Sequence, residues 1–277
     1  MELKSSEKRS IIYHSIFNYP LTETDLKKWT CKYKFNFNQK KIQFKKVNGF
    51  CVLKGQEKNV KKRSNNEKYS KKKLVIAKKA AKLISKIPSV LFIGITGSLA
   101  MMNAKKESDI DFLIITKSGW LWVTRLLVYC FLNTTSYILR KPQSENERDA
   151  LCLNMWLDEN DLVWNKKDRN IYTAHEIAQI IPLYNKNKTY QKFLYLNRWI
   201  LNYWPNSVNM PHAISRKFYA KKTIRHTAYS LKLLEKIAYF FQYQYMKNKI
   251  TNEVVTPTRA LFHPRNNSKF ILEKMKK

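Results

Sequence analysis

Two acidic residues separated by a single position are the strongest indication of chemistry in this chain. Asp109 and Asp111 lead directly into an apolar run at 112–115 that is typical of a buried strand. Because side chains at positions i and i+2 of a strand share a face, we expect the two carboxylates to point the same way. Neighbouring carboxylates repel each other, and a divalent cation placed between them removes that cost. Mg²⁺ prefers carboxylate and phosphate oxygens and fits such a pair, with Mn²⁺ as the alternative ion.

A glycine–serine pair just upstream supplies a second feature of the same kind. Gly97 and Ser98 follow an apolar run at 90–93, and residues 99–103 can begin a helix. A strand that passes through Gly-Ser into a helix presents backbone N–H groups and a hydroxyl, which together bind anions such as phosphate. A phosphate site beside a cation-binding carboxylate pair provides the two components that phosphoryl or nucleotidyl transfer requires.

The order strand, Gly97-Ser98, short helix and then Asp109-x-Asp111 on the next strand resembles the nucleotidyltransferase superfamily with the DNA polymerase β-like palm, in its minimal form. This resemblance implies transfer of a nucleoside monophosphate from a nucleoside triphosphate (NTP) to an acceptor hydroxyl, with release of pyrophosphate. It further implies that the two aspartates bind the metal and that the glycine and serine bind the nucleotide. The acceptor stays open between a small molecule, RNA and protein.

The same family has a third carboxylate on a later strand, and this chain departs from that pattern. The predicted strand at 151–157 contains no acid, and Asn154 occupies the expected place. An amide can offer an oxygen to a metal but cannot act as a base. We therefore predict Asn154 as the third metal position. The missing acid is left open among Asp149, Asp158 and Glu159.

Composition agrees with a globular protein that attracts anions. The chain has 53 Lys+Arg against 20 Asp+Glu, a net charge of +33, and 44% of its residues are hydrophobic. Such a charge favours NTP or nucleic acid as partners by a small margin over compositional drift, the alternative, since basic residues are spread throughout the chain. Four scattered cysteines without a paired motif indicate reduced thiols in a cytoplasmic protein. The apolar run at 120–132 is too short to cross a bilayer, so no membrane partner is expected.

The predicted fold class is α+β, a mixed-sheet palm with flanking helices between two smaller regions. We divide the chain into a winged-helix-like module at 1–55, a basic connecting helix at 56–88, the palm at 89–165 and a helical C-terminal domain at 166–277. Within the last region, helices are predicted at 172–181, 190–204 and 218–246 from their apolar spacing. The first of these carries His175-Glu176, which is not a zinc motif because position 179 is Gln.

The N-terminal module is predicted from helices at 7–17 and 35–41, a helix that begins after Thr22 and a hairpin at 45–53 with Asn-Gly in its turn. Similar winged-helix modules are fused to palms in some bacterial nucleotidyltransferases. Such a module can dock DNA or RNA, or it can pack on the palm or dimerise. The alternative function is therefore a catalytically inactive, nucleotide-sensing regulator that binds nucleic acid through this module.

Overall fold

The computed structural model describes residues 3–35, 42–140, 147–210, 229–248, 250, 253–262 and 266–276. These residues form an α+β protein with a small three-stranded sheet near the N-terminus and a mixed six-stranded sheet at the centre. The predicted α+β class is therefore confirmed. None of the described helices is both long enough and apolar enough to cross a membrane.

The N-terminal unit combines two helices with the small antiparallel sheet, whose strand order is β1-β3-β2. Its elements are α1 (Ser5–Ser15), β1 (Leu21–Thr22), α2 (Glu23–Lys28), β2 (Phe44–Val47) and β3 (Phe50–Leu53). The predicted cap of α2 is present, since Oγ1 of Thr22 accepts from the Asp25 N–H at 3.1 Å. The predicted hairpin is also present, and its turn residues Asn48 and Gly49 both have positive φ. Most of the helix predicted at 35–41 lies outside the described residues.

A long basic helix, α3 (Lys58–Ile84), connects this unit to the central sheet. Only the second half of α3 carries a regular small and apolar stripe, including Ala77, Ala80 and Ile84. The first half is held by polar contacts instead. Its Arg63 forms an ion pair with Asp25 at 2.8 Å.

The central sheet has the strand order β7-β4-β5-β6-β9-β8, and among its neighbouring pairs only β5 and β6 run parallel. Its strands are β4 (Val90–Ile95), β5 (Ile110–Thr116), β6 (Leu151–Asp158), β7 (Ile181–Asn185), β8 (Val254–Thr256) and β9 (Arg259–Leu261). Strands β4, β5 and β6 coincide with the apolar runs identified in the sequence. Their side chains alternate between two hydrophobic cores, one on each face of the sheet.

Helices cover both faces of this sheet. They are α4 (Gly97–Ala100), α5 (Leu121–Asn133), α6 (Ile171–Ala178), α7 (Thr189–Leu196), α8 (Tyr229–Lys247) and α9 (Asn266–Lys276), with 3-10 turns at Lys166–Asp168 and Arg198–Asn202. One face packs against α6 and α7, and residues of the N-terminal unit join that core. The other face packs against α3, α5 and α8.

The region at 166–277 differs from the predicted helical domain, because it contributes β7, β8 and β9 to the central sheet. The predicted palm at 89–165 therefore contains only half of that sheet. These strands have three to five residues, so helical and strand spacing cannot be told apart in them. These segments form strands because β7 pairs with β4 and β9 pairs with β6, while β8 pairs with β9. Pro182 is tolerated because β7 is an edge strand.

The predicted helices of this region also change at their ends. The helix predicted at 172–181 runs from Ile171 to Ala178, and its N-cap is Asn170. The segment predicted at 190–204 divides into α7 and a 3-10 turn. Of the helix predicted at 218–246, residues 218–228 lie outside the described residues, and α8 accounts for the rest.

Candidate functional site

The two aspartates lie together at the start of β5, as their spacing predicted. Ile110 and Phe112 are fully buried in one core, so Asp111 faces the opposite side of the sheet. In the parallel register Asp111 pairs with Cys152 of β6. One potential ligand atom from each of Asp109, Asp111 and Cys152 lies within 4.8 Å of the other two. Cys152 was not predicted, because its proximity depends on strand register and not on sequence spacing.

A bulge in β6 brings Asn154 to the same place. Asp111 pairs with Cys152 and Leu113 pairs with Met155, so β6 has one more residue than β5 between these pairs. Nδ2 of Asn154 donates to Oδ1 of Asp111 at 2.6 Å. The structure thus places the predicted third position beside the acid pair, with its amide nitrogen facing the carboxylate. Asn154 orients Asp111 in this arrangement rather than adding a negative charge.

The Gly-Ser turn lies directly against the second aspartate. Gly97 has a φ of +61°, and a Cβ at this position would clash with Oδ2 of Asp111. The Thr96 N–H donates to the Asp111 carbonyl at 3.0 Å, which holds the turn and the strand together. Ser98 is exposed at the beginning of α4. Glycine is therefore required here for both its positive φ and the absence of a side chain.

The electrostatics of the pair favour a cation. Burial, together with the charge of Asp111, raises the pKa of Asp109 to about 6, and burial raises the pKa of Asp111 to about 6. The Arg140 guanidinium opposes both shifts, since Nη1 lies 2.9 Å from Oδ2 of Asp109. Glu147 shares that guanidinium, with Oε1 2.6 Å from Nη2. One arginine thus divides its charge between two carboxylates and leaves the pair only partly neutralised.

The residues present fit a divalent metal ion. Oδ2 of Asp109 is buried and, despite its ion pair, accepts no well-formed hydrogen bond from the described residues. Two carboxylates suit Mg²⁺ or Mn²⁺, and the thiol of Cys152 would add a softer ligand. Burial raises the pKa of that thiol, so without a metal it remains protonated at neutral pH.

The three acids that the sequence offered as alternatives have other partners. Oδ1 of Asp149 lies 2.6 Å from Nζ of the buried Lys73. Asp158 accepts from the N–H of Gly119 at 2.6 Å. Glu159 accepts from the Ser118 N–H at 3.1 Å. The last two therefore hold the turn between β5 and α5, at the other end of the strand from the aspartate pair.

A different carboxylate approaches the pair from α6. Oε1 of Glu176 accepts from Nε2 of Gln179 at 2.8 Å, and the same nitrogen lies 3.4 Å from the Gly97 carbonyl. Burial and the charge of Asp111 raise the pKa of Glu176 to about 8. The sequence showed this residue only as part of an incomplete zinc motif. Its spacing of three residues from Gln179 on a helix was the available sign of a side-chain pair.

Glu176 also lines a cavity of about 890 Å³ between α6, α9, the β8–β9 hairpin and the segment at 161–173. Met155, which follows the bulge in β6, lines the same cavity. The acid pair therefore lies beside the Gly97-Ser98 turn on one side, and Glu176 connects that turn to the cavity on another. This combination can bind a metal-bound polyphosphate and hold a second molecule close to it.

No protein-family model, curated protein or solved structure matches this chain. The class of site is therefore defined by its own geometry. It is a carboxylate pair on a mixed sheet, beside a glycine turn with the form of a phosphate site.

Proposed function

We propose that this chain is a metal-dependent nucleotidyltransferase, which moves a nucleoside monophosphate from an NTP to an acceptor hydroxyl and releases pyrophosphate. The observation that carries the proposal is the contact between Gly97 and Asp111. A glycine–serine turn can bind a polyphosphate through its backbone N–H groups and hydroxyl, and a carboxylate pair can bind the cation that accompanies it. Their direct contact is what a metal–polyphosphate complex would need.

Each residue of the site has a role in this proposal. Asp109 and Asp111 hold Mg²⁺ or Mn²⁺, and the backbone of Gly97 and the hydroxyl of Ser98 hold the triphosphate. When bound, the ion neutralises charge on the phosphate oxygens and on the two carboxylates. The net charge of +33 attracts the NTP from solution.

We assign Glu176 as the general base that takes the proton from the acceptor hydroxyl. The amide of Asn154 cannot perform this role. Glu176 is close enough to Asp111 for its pKa to respond to that charge. Gln179 fixes its orientation and connects it to the phosphate turn. Because its pKa is raised to about 8, the ionised form of Glu176 is a stronger base than an ordinary carboxylate and can take a proton from a hydroxyl and release it to solvent.

The second candidate is the catalytically inactive regulator, and the N-terminal unit is the observation that favours it. Its element order and its β1-β3-β2 sheet resemble a winged helix. Its Trp29 stacks on His175 of α6 with ring centroids 4.0 Å apart, and Tyr13 and Trp204 enclose the same histidine. These contacts give a regulatory module a buried connection to the helix that carries Glu176. They also support the simpler alternative, in which the module only packs on the palm.

Thermal unfolding with each NTP, with and without Mg²⁺, tests the leading proposal. A ligand that binds only the folded state adds about 2.7 kcal/mol of stability at a hundredfold excess over Kd. We expect a Mg²⁺-dependent rise with at least one NTP in the wild type and in Glu107→Gln, an exposed control near the site. Asp111→Asn should lose it. A rise that survives in Asp111→Asn would contradict the assigned site.

Pyrophosphate release separates the two candidates. The enzyme should release pyrophosphate from the stabilising NTP once an acceptor is present, and Asp109→Ala should abolish this. A regulator should bind the NTP, release no pyrophosphate with any acceptor, and bind nucleic acid equally well in Asp109→Ala.

A further inference from the structure

The cavity beside Glu176 has the size and the charge of a site for a small molecule. Its volume of about 890 Å³ lies within the usual range for ligand pockets, roughly 300 to 1,000 Å³. Apolar side chains on two of its walls, Met155 from β6 and Leu272 from α9, give it an apolar interior. Trp164 and Tyr172 add aromatic surface. A molecule of nucleoside size with an apolar or aromatic face would fill this space.

The charge around the cavity differs from that of the rest of the protein. Of the described residues that line it, four are acidic and five are basic, whereas the whole chain has 20 acidic and 53 basic residues. One of the five, Arg259, is already paired to the Asp161 carboxylate through Nε at 3.0 Å and Nη2 at 2.5 Å. Acidic and basic residues are therefore nearly equal in number around this cavity, unlike in the chain as a whole.

The positions of these charges decide against a polyanion. Lys166, Lys167 and Lys269 are exposed. Glu176 instead accepts from Nε2 of Gln179, and this nitrogen lies 3.4 Å from the Gly97 carbonyl beside the acid pair. Binding of an RNA or DNA end relies on cations and stacking surfaces along the whole path of the phosphates. Glu176 offers a phosphate no positive charge, whereas its carboxyl group can hydrogen-bond a hydroxyl.

We propose that this cavity is the acceptor site and that the acceptor is a small, uncharged or cationic molecule with a free hydroxyl, rather than a nucleic-acid end or a protein. The proposal rests on the nucleotidyltransferase function proposed above. The hydroxyl oxygen forms a bond to the α-phosphorus while the bond from that phosphorus to the bridging oxygen breaks. Pyrophosphate leaves with the bridging oxygen, and the hydroxyl proton passes to the Glu176 carboxylate and then to solvent.

The test uses the full chain, Mg²⁺ and the α-phosphate-labelled NTP that stabilises it most. Three acceptor pools are offered separately: a metabolite extract freed of macromolecules, total RNA, and total protein. The wild type should transfer label to a low-mass product from the first pool only. Leu272→Trp, which fills the cavity from α9, should lower this transfer about tenfold or more, because a tryptophan occupies the acceptor's volume. The matched control Lys274→Trp, on the exposed side of the same helix, should transfer normally.

The Mg²⁺-dependent thermal shift with NTP distinguishes the possible failures. It should persist in Leu272→Trp, which shows that the variant folds and binds its donor. Val254→Phe fills the same cavity from β8 and gives a second readout if the first variant does not fold. Label in RNA or protein alone, no low-mass product while the NTP shift is intact, or full transfer by both filled variants would each overturn the acceptor proposal. No NTP shift in the wild type would overturn the proposed function itself.

Discussion

Nε2 of His14 lies 3.1 Å from Nε2 of His175 in the interior, where α1 of the N-terminal unit meets α6. Nδ1 of His14 lies 2.8 Å from the Ser10 carbonyl, which can only accept, so His14 carries its proton on Nδ1. Its Nε2 must then accept from the protonated Nε2 of His175. Both rings are neutral in the folded protein, and this hydrogen bond connects the N-terminal unit to the helix that carries Glu176.

This pair predicts a loss of stability in mild acid. Burial lowers the pKa of His14 to about 4, and burial together with His14 lowers the pKa of His175. The unfolded chain takes up protons below its ordinary histidine pKa of about 6.5, whereas the folded protein resists them. The contribution of the pair to the free energy of unfolding is therefore complete above a pH of about 6.5. It declines as the pH falls towards 4, by about 3 kcal/mol for His14 alone.

Urea unfolding of the wild type and His14→Gln at several pH values between neutrality and 4 checks this prediction. The variant should be less stable at neutral pH, and its stability should change less as the pH falls. Acids with a raised pKa favour folding at lower pH in both proteins. Their effect therefore cancels in the difference between the two free energies of unfolding. Parallel pH curves for the two proteins would rule out the neutral pair.

Asp111→Asn should stabilise the metal-free protein above neutral pH while it removes metal binding. Because the folded-state pKa of Asp111 is raised to about 6, ionisation opposes folding, with full effect above that pH and none below the unfolded pKa of about 3.9. We expect a gain of up to roughly 3 kcal/mol at pH about 8 that vanishes near pH about 4. Chemical unfolding in a chelator at both pH values measures the difference in stability between Asp111→Asn and the wild type, with Glu107→Gln as control. A loss of stability at the higher pH would contradict the prediction.

Gly97→Ala should separate binding from folding when it is compared with Gly119→Ala. Both glycines have similar positive φ, +61° and +68°, so both variants incur a backbone cost of about 1 to 2 kcal/mol. Only at Gly97 does the added Cβ meet the Asp111 carboxylate, whereas the Cβ at Gly119 meets open space. Thermal unfolding with Mg²⁺ and NTP should show ligand stabilisation in Gly119→Ala and little or none in Gly97→Ala. Equal ligand shifts in the two variants would contradict the contact.

Lys73→Met should destabilise the protein and disturb the loop that leads to Asp109. The Lys73 ammonium is almost fully buried and donates to the Ser108 carbonyl at 2.7 Å, as well as to Asp149. Its loss leaves these acceptors without their donor, at a cost of about 2 to 4 kcal/mol. Lys72→Met changes an exposed lysine of the same helix and should cost almost nothing. Urea unfolding of both variants gives the comparison, and equal stabilities would contradict a structural role for Lys73.

The sequence by itself determined the local parts of this protein. Apolar runs predicted strands β4, β5 and β6, the Thr22–Asp25 pair predicted the start of α2, and Asn48-Gly49 predicted a hairpin turn. The spacing of Asp109 and Asp111 also predicted that they would lie together. Each of these features depends on interactions within a few residues, where side-chain period and turn geometry act directly.

Only the tertiary structure decided which distant residues complete the site. Cys152 and Asn154 reach Asp111 through the register of a parallel pair and a bulge in β6. Glu176 is connected through Gln179 to the Gly97 turn because α6 packs on one face of the sheet. The short strands β7, β8 and β9 form because β4 and β6 offer them backbone partners. Strand register, bulges and helix packing are set by the summed burial of residues far apart in the chain, which no local pattern records.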